Sequence, residues 1–343
     1  MHTALPDQTP VFESYWRFAA ERQRVWERRF GGTDTALTDD PIIANYRFTN
    51  SYRVLDRVTQ YLLTNVVYDS HRSSRDTLLR ILLFKIFNKI ETWDLLTAEF
   101  GPLGASTFDV AAFNRLLSSV RADGGRIYSN AYITPPIRGV EGPKHLGHLL
   151  WLRRVLVDDL DDELASASSL SEIYERLARY DGFGPFLAYQ LAVDIAYSPL
   201  TTVTEDDFMV AGPGAIDGVT KCFPTAHKRD VSQIIYTVCA EQASWFEHFG
   251  IDFPYLQGRH LRPIDCQNLF CEISKYARVA HPGVAGSLGR TQIKQSYRPS
   301  HAPMPELFLP PKWNSTGPQR ALAEDRVGAK GLAQQGMVIG GWQ

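Results

Sequence analysis

The sequence predicts an all-α, multi-helical fold, and three observations lead there. Apolar residues recur at helical spacing along most of the chain. Helix start and stop signals flank those stretches. Only one core segment, PLTTVTEDDFMVAGPGAIDG from Pro199, has the β-branched character of an extended stretch.

Taken in order, Phe12, Tyr15, Trp16, Ala19, Trp26 and Phe30 form a stripe that Gly31-Gly32 ends. Tyr52, Leu55, Val58, Thr59, Leu62, Leu63 and Val66 predict an amphipathic helix. Leu78 to Ile90 is apolar on nearly all sides and reads as a central helix. Thr92 is positioned to cap WDLLTAEF, and Gly101-Pro102 to stop it. Thr107 opens a further helix that ends near Gly124-Gly125. Residues 129–145 are rich in Pro and Gly and read as a loop, a lid or a crossover. Helix resumes in HLGHLLWLRRVLVDDL, and Ser169-x-x-Glu172 is a capping-box pattern before IYERLARY. Helices follow at about 229–248, capped by Asp230, and at 263–280, with Pro263 in the first turn. The reading is one helical domain over 1–298, with a hairpin at 171–197, and a Pro/Gly-rich tail over 299–343.

Composition narrows the function classes. The 343 residues are 44% apolar and 22% charged, enough for a sizeable core. No run reaches the roughly 18 apolar residues of a membrane span. The N-terminus has no basic start followed by an apolar stretch, so a cytoplasmic protein without a membrane partner is expected. Cys222, Cys239, Cys266 and Cys271 form neither a disulfide scaffold nor a metal-ligand spacing. His145 and His148 could share a metal, but no third ligand is evident, so neither metal nor cofactor is expected. The net charge of −2 excludes a general polyanion binder. Arginine outnumbers lysine 27 to 9, a bias that suits phosphate but is also what a GC-rich genome produces.

The most informative segment is Leu177-x-x-Tyr180-x-Gly182-Phe183-Gly184-Pro185-x-x-Ala188. It has the pattern of a helix-hairpin-helix. Two glycines let the backbone turn tightly and approach a ligand. Pro185 suits the first turn of the second helix, whose free amides then face a phosphate. Phe183 should tuck between the helices, with Phe186 beside it. The alternative is a plain helical hairpin; the functional reading is a sequence-independent grip on duplex DNA. In DNA glycosylases with such a hairpin, a catalytic Asp lies about twenty residues beyond the second Gly. Glu205-Asp206-Asp207 lies 21 to 23 residues beyond Gly184. Asp207, nearer the apolar run, is the first candidate and Asp206 the second, either to stabilise charge on a sugar or to activate water. The same trio also reads as an acidic turn.

Gly212-Pro213-Gly214 is a second tight turn, with Lys221 on the following helix as a partner charge for phosphate or simply as a helix residue. Asn50, Arg53 and Arg57 recur at helical spacing. Asn88 and Lys89 end the most apolar helix. Asp265, Asn268, Glu272 and Lys275 form a polar stripe, solvated or lining a pocket.

FTNSYRVLDRVTQYL, ILLFKIFNKIETW, GFGPFLAYQLAVDIAYS, EDDFMVAGPGA and DCQNLFCEISKYAR together resemble the 5-hydroxymethyl-dUMP DNA kinase helical-domain family, also called the α-glutamyl/putrescinyl-thymine pyrophosphorylase family, over about residues 11–280. The resemblance implies a divergent relative of helix-hairpin-helix DNA glycosylases. Family members act in phage thymine hypermodification, beside or fused to kinases, and others are linked to phage defence. It implies that Gly182, Phe183 and Gly184 grip DNA and that Asp206 or Asp207 stands in for the glycosylase Asp. The chain has no GxxxxGK[ST] phosphate loop, and Pro185 and Phe186 stand where a lyase lysine would be. The expectation is therefore a monomeric, monofunctional DNA N-glycosylase, a hydrolase excising a bulky modified pyrimidine from double-stranded DNA. The rivals are a transferase that replaces diphosphate on phosphorylated hydroxymethyluracil in DNA and a non-catalytic reader of modified DNA.

Overall fold

The computed structural model describes residues 5–32, 36–130, 134–298 and 304–313. Among these the regular structure is helical, and no strand forms beyond two isolated bridges, Tyr46–Ser296 and Leu256–Arg259. The helices are α1 (Pro10–Phe30), α2 (Pro41–Asn45), α3 (Arg57–Tyr61), α4 (Ser74–Phe87) and α5 (Ile90–Phe100). Next come α6 (Val110–Ala122), α7 (Lys144–Val157), α8 (Leu160–Ala165), α9 (Leu170–Ala178) and α10 (Pro185–Ala196). The last are α11 (Pro213–Cys222), α12 (Val231–Ala240), α13 (Gln242–His248) and α14 (Pro263–Ala280). The all-α expectation holds, and the 199–212 segment is non-helical as read. Among the described residues no helix is long and apolar enough to cross a membrane.

These residues group into two compact units. The first takes residues up to 59, 167–196 and 203–305; the second takes 60–166, 197–202 and residues from 306 on. This grouping cuts across the division drawn at residue 298. Phe308 and Leu309 are buried within the second unit, and Gln60 exchanges two hydrogen bonds with the Phe308 backbone, each 2.9 Å. From 314 the expected tail lies outside the described residues.

In the first unit α11 lies against α14 at very short range. A Cβ on Gly218 would fall 1.9 Å from the Phe270 carbonyl oxygen, and one on Gly214 would fall 2.3 Å from Cys271 Sγ. Only glycine on this face lets the two backbones approach so closely. Aromatic rings close the core from the α1 side. Tyr15 stacks on Phe270 at 4.4 Å, and Phe12 lies 4.8 Å from Phe223.

In the second unit α4 is the axis. Every residue from Thr77 to Phe87 is buried, as its all-round apolar sequence demands. The one arginine among them, Arg80, donates to the Asn65, Val66 and Leu103 carbonyls and pairs with Asp69 at 2.7 Å. It thereby satisfies the carbonyls left open where the chain ends a π-helical stretch, Leu62–Val67.

That stretch corrects one sequence expectation. The single helix over Tyr52 to Val66 is broken into a 3-10 turn (Arg53–Leu55), α3 and the π-helix, with Asp56 in extended conformation between the first two. Asn50, Arg53 and Arg57 therefore do not share a helical face. Other boundaries move for local reasons. Asp109, not Thr107, caps α6, because its carboxylate reaches the Ala111 and Ala112 amides. The helix read over 229–248 divides into α12 and α13 at Glu241.

Replacing Gly218 by Ala should cost at least about 1–3 kcal/mol in urea denaturation, since the new methyl meets backbone rather than a yielding side chain. Gly184→Ala, with open space around its Cβ, should leave stability unchanged or raise it by about 0.4–1 kcal/mol.

Candidate functional site

The glycine hairpin forms as a turn between α9 and α10. Ser169 caps α9 through the Glu172 amide, while Glu172 takes the Ser168 amide and hydroxyl rather than completing the expected box. Gly182 has φ 107°, a conformation side chains resist, so its glycine is explained by the turn. Gly184 has no such constraint: a Cβ there would meet nothing within 4 Å. Pro185 opens α10 and is exposed, and Phe183 is half-buried. Phe186 lies on Gly212, where a Cβ would come within 2.7 Å of its ring. The hairpin and the GPG turn thus touch through an aromatic face.

The buried face of α10 carries the charge that sequence reading missed. Arg53 is buried and donates through Nη2 to Asp194 Oδ1 at 2.7 Å and through Nε to Gln190 Oε1 at 3.2 Å. Its backbone amide donates to Asp265 Oδ1 at 2.7 Å. The other Asp265 oxygen accepts from the Arg262 amide at 3.0 Å, closing the first turn of α14. The only charged residue in the largely apolar run PFLAYQLAVDIA was the available signal for Asp194.

The acidic trio divides differently from the expectation. Glu205 is the buried member and pairs with Arg259 Nη2 at 2.6 Å. Asp206 is exposed and lies 3.1 Å from Arg262 Nε. Asp207, expected to turn inward, is also exposed and accepts from the Leu170 amide at 3.4 Å, at the start of α9. Glu205 is drawn in by Arg259, which sequence spacing did not reveal. Arg259 itself is placed by a turn with Gln257 and Gly258 both at positive φ (50° and 76°). The Tyr52 hydroxyl holds that turn, donating to the Arg259 carbonyl and accepting from the Leu256 amide.

The α14 stripe is real, and it faces the chain at 47–53. Lys275 Nζ donates to the Arg47 carbonyl at 3.1 Å, Glu272 accepts from the Thr49 amide at 3.1 Å, and Asp265 takes the Arg53 amide. Lys275 also pairs with Glu272 at 2.7 Å. Asn268 lies in the same stripe, half-buried. Asn50 is pinned between Arg22 Nη2 (3.0 Å) and the Leu55 carbonyl (2.8 Å). Lys221 does not point out toward a phosphate. It is buried, donates to the Ser274 carbonyl at 3.0 Å and faces Asp217, so its charge is used between α11 and α14. Gly214 is likewise explained by packing on Cys271.

Asn88 and Lys89 belong to the second unit. Asn88 ends α4 in the left-handed conformation, and Lys89 pairs with Glu91 at 2.7 Å. His145 and His148 also lie there and are committed elsewhere: His148 bridges the Tyr128 hydroxyl and the Pro135 carbonyl at 2.8 Å each, and His145 meets Ser118. Among the described residues no group of three His, Cys, Asp or Glu could hold a metal ion.

What the first unit assembles is therefore two tiers. Inside, Arg53, Asp194, Gln190 and Asp265 form a buried ionic knot. Outside it, Glu205–Arg259 and Asp206–Arg262 form a rim with two guanidiniums. Burial raises the Asp265 carboxyl to about 7 and pushes Glu205 up as well, though Arg259 opposes the rise in both. Such a rim can hold phosphoryl oxygens by forked contacts and can accept a proton on a carboxylate.

The model of the family described as 5-hmdU DNA kinase, helical domain, matches residues 9–286. The 5-hmdU DNA kinase of Bacillus phage SP10 is 26% identical over 291 residues, which cover 78% of this chain and 45% of the phage protein. The chain thus spans about half the length of that curated relative. No solved structure matches. The family match overturns the expected excision. A kinase transfers a group and leaves the glycosidic bond intact, so the N-glycosylase and hydrolase assignments are withdrawn.

The raised Asp265 carboxyl has a consequence for pH. An unfolded Asp releases its proton at about 3.9, whereas the folded protein holds it to about 7. Between those values the native state binds more protons, so stability should fall as pH rises through the window. Denaturation midpoints at pH 4 to 7 should show that fall in wild type and a flatter profile in Asp265→Asn; identical slopes would contradict it.

Proposed function

The chain belongs to the 5-hmdU DNA kinase helical-domain family, and on that premise we propose that it acts as a monomer on double-stranded DNA, by group transfer at a 5-hydroxymethyluracil base. The observation that carries the reading is the rim of Glu205–Arg259 and Asp206–Arg262 above the buried knot on α10. The hairpin at Gly182 to Pro185 grips the phosphate backbone without regard to sequence. The modified nucleotide leaves the stack to reach the rim, at a cost of a few kcal/mol offset by those contacts.

The reaction assigned to this chain starts from a base whose 5-hydroxymethyl oxygen carries diphosphate. The bond between the 5-methylene carbon and that oxygen breaks, and diphosphate leaves toward Arg259 and Arg262. An amine or amino-acid nitrogen bonds to the carbon, and its proton passes to a rim carboxylate. The phosphoryl transfer named for the phage relative is not assigned to these residues, because the 343-residue sequence contains no GxxxxGK[ST] loop.

Nucleoside mass spectrometry tests the reading. Duplexes carrying the diphosphorylated base, incubated with an amine or amino-acid donor, should yield a nucleoside that has gained the donor, with diphosphate released and no abasic sites. Free base and abasic DNA, or no change with any donor, would defeat the proposal. Arg262→Gln should slow the transfer roughly 100-fold, the usual effect of removing one charge-stabilising donor. Gly184→Val should weaken binding to unmodified and modified duplexes alike at matched salt; unaltered affinity would remove the hairpin from the DNA contact.

A further inference from the structure

The second unit carries an unabsorbed feature where α6 meets α7. Arg121 ends α6 and is exposed, and Lys144 opens α7. Ser118 meets His145 at 3.0 Å, which brings the last turn of α6, with Arg121, beside the first turn of α7, with Lys144. Burial lowers the Lys144 pKa, and the Arg121 charge lowers it further. Among the described residues neither cation is paired with a carboxylate. Lys144 instead sits with Nζ 4.1 Å from the centroid of the Tyr128 ring. That ring is itself held, with its hydroxyl on His148 at 2.8 Å and the Phe87 ring 4.9 Å from it. Arg126 is exposed just past the intervening glycine turn, also without an acidic partner among the described residues. The first turn of α7 has no side-chain cap, so its free amides add to the positive field.

Two like charges held near one another without a counterion cost free energy, unless an anion joins them. We propose that Arg121 and Lys144, the latter seated on Tyr128, form a second contact for the DNA phosphate backbone, separate from the glycine hairpin and reading no sequence. The site rests on the reading of DNA as substrate, but not on the chemistry assigned above. Its partner is a phosphodiester, because the donors are a guanidinium and an ammonium without a carboxylate partner among the described residues, and the ammonium lies over the Tyr128 ring.

The test is binding of the full-length chain to an unmodified duplex across roughly 50 to 200 mM salt. Arg121→Gln/Lys144→Gln should weaken binding and reduce the slope of log affinity against log salt by about 2, near 0.9 per lost phosphate contact. Lys144→Arg keeps the charge and should retain the wild-type slope. Arg153→Gln/Arg154→Gln makes the same change in net charge nine and ten residues further along α7, about 13 to 15 Å away along the helix axis, and should leave the slope unaltered. An unaltered slope in the first double variant, or an equal reduction in the control, overturns the proposal. So does failure of the wild-type chain to bind unmodified duplex. The group-transfer reading stands or falls separately, on the mass of the modified nucleoside.

Discussion

The Arg53 guanidinium is only 3% exposed, and the arrangement of the first unit follows from the need to neutralise it. Taking such an ion out of water costs several kcal/mol, recovered only if an opposite charge and further hydrogen bonds meet it with good geometry. Asp194, fully buried, and Gln190 one helical turn before it supply both from α10. Asp265 holds the same residue by its backbone from α14. One arginine thus ties the segment at 47–55, the second helix of the glycine hairpin and the long C-terminal helix to each other. Losing the carboxylate would leave the charge in a dry interior, a change that typically costs about 3–5 kcal/mol.

α14 is held from two sides by opposite means. Its polar stripe grips the 47–53 chain through Lys275, Glu272 and Asp265. Another face is pressed against α11, where Gly214 and Gly218 leave no room for side chains. Its N-terminus, so fixed, presents Arg262, while the Tyr52-clamped turn presents Arg259. These supports fix the backbone from which the two rim arginines project. For the group transfer proposed above, a fixed backbone matters because donors held in place need little rearrangement when charge develops on a leaving group. A cleft of about 320 Å³ elsewhere in the unit, lined by Arg17, Arg24 and Asp40 among others, has no comparable support. Its arginines are spent on the carbonyls of Phe249 and Asp252, and Asp40 on the Tyr276 hydroxyl.

The functional misreading has an instructive cause. The distance from Gly184 to the acidic trio matches a glycosylase, and nearness to the apolar run singles out Asp207, then Asp206, as the inward acid. Spacing along a chain does not say which acid meets a cation. Glu205 is buried because Arg259, 54 residues later, is there to receive it; Asp206 and Asp207 stay at the surface. Lys221 was misjudged the same way: its helix position was right, but Ser274 and Asp217 use its charge internally. In both cases the deciding partner lies far off in sequence.

The sequence by itself determined the helical class, the hairpin turn and most helix ends, because periodicity, glycine and proline punctuation and side-chain caps act over a few residues. It also determined the family, through five blocks in order. Even locally it missed the π-helical turn at Leu62–Val67, whose open carbonyls are answered by Arg80 from the next helix. Only the tertiary structure decided which polar residues are knot, rim or surface. Burial of a charge is set by the group that neutralises it, and the pairs Arg53–Asp194 and Arg259–Glu205 join positions 141 and 54 residues apart. No local pattern records such a pairing, because its energy exists only once the chain has brought both ends out of water together.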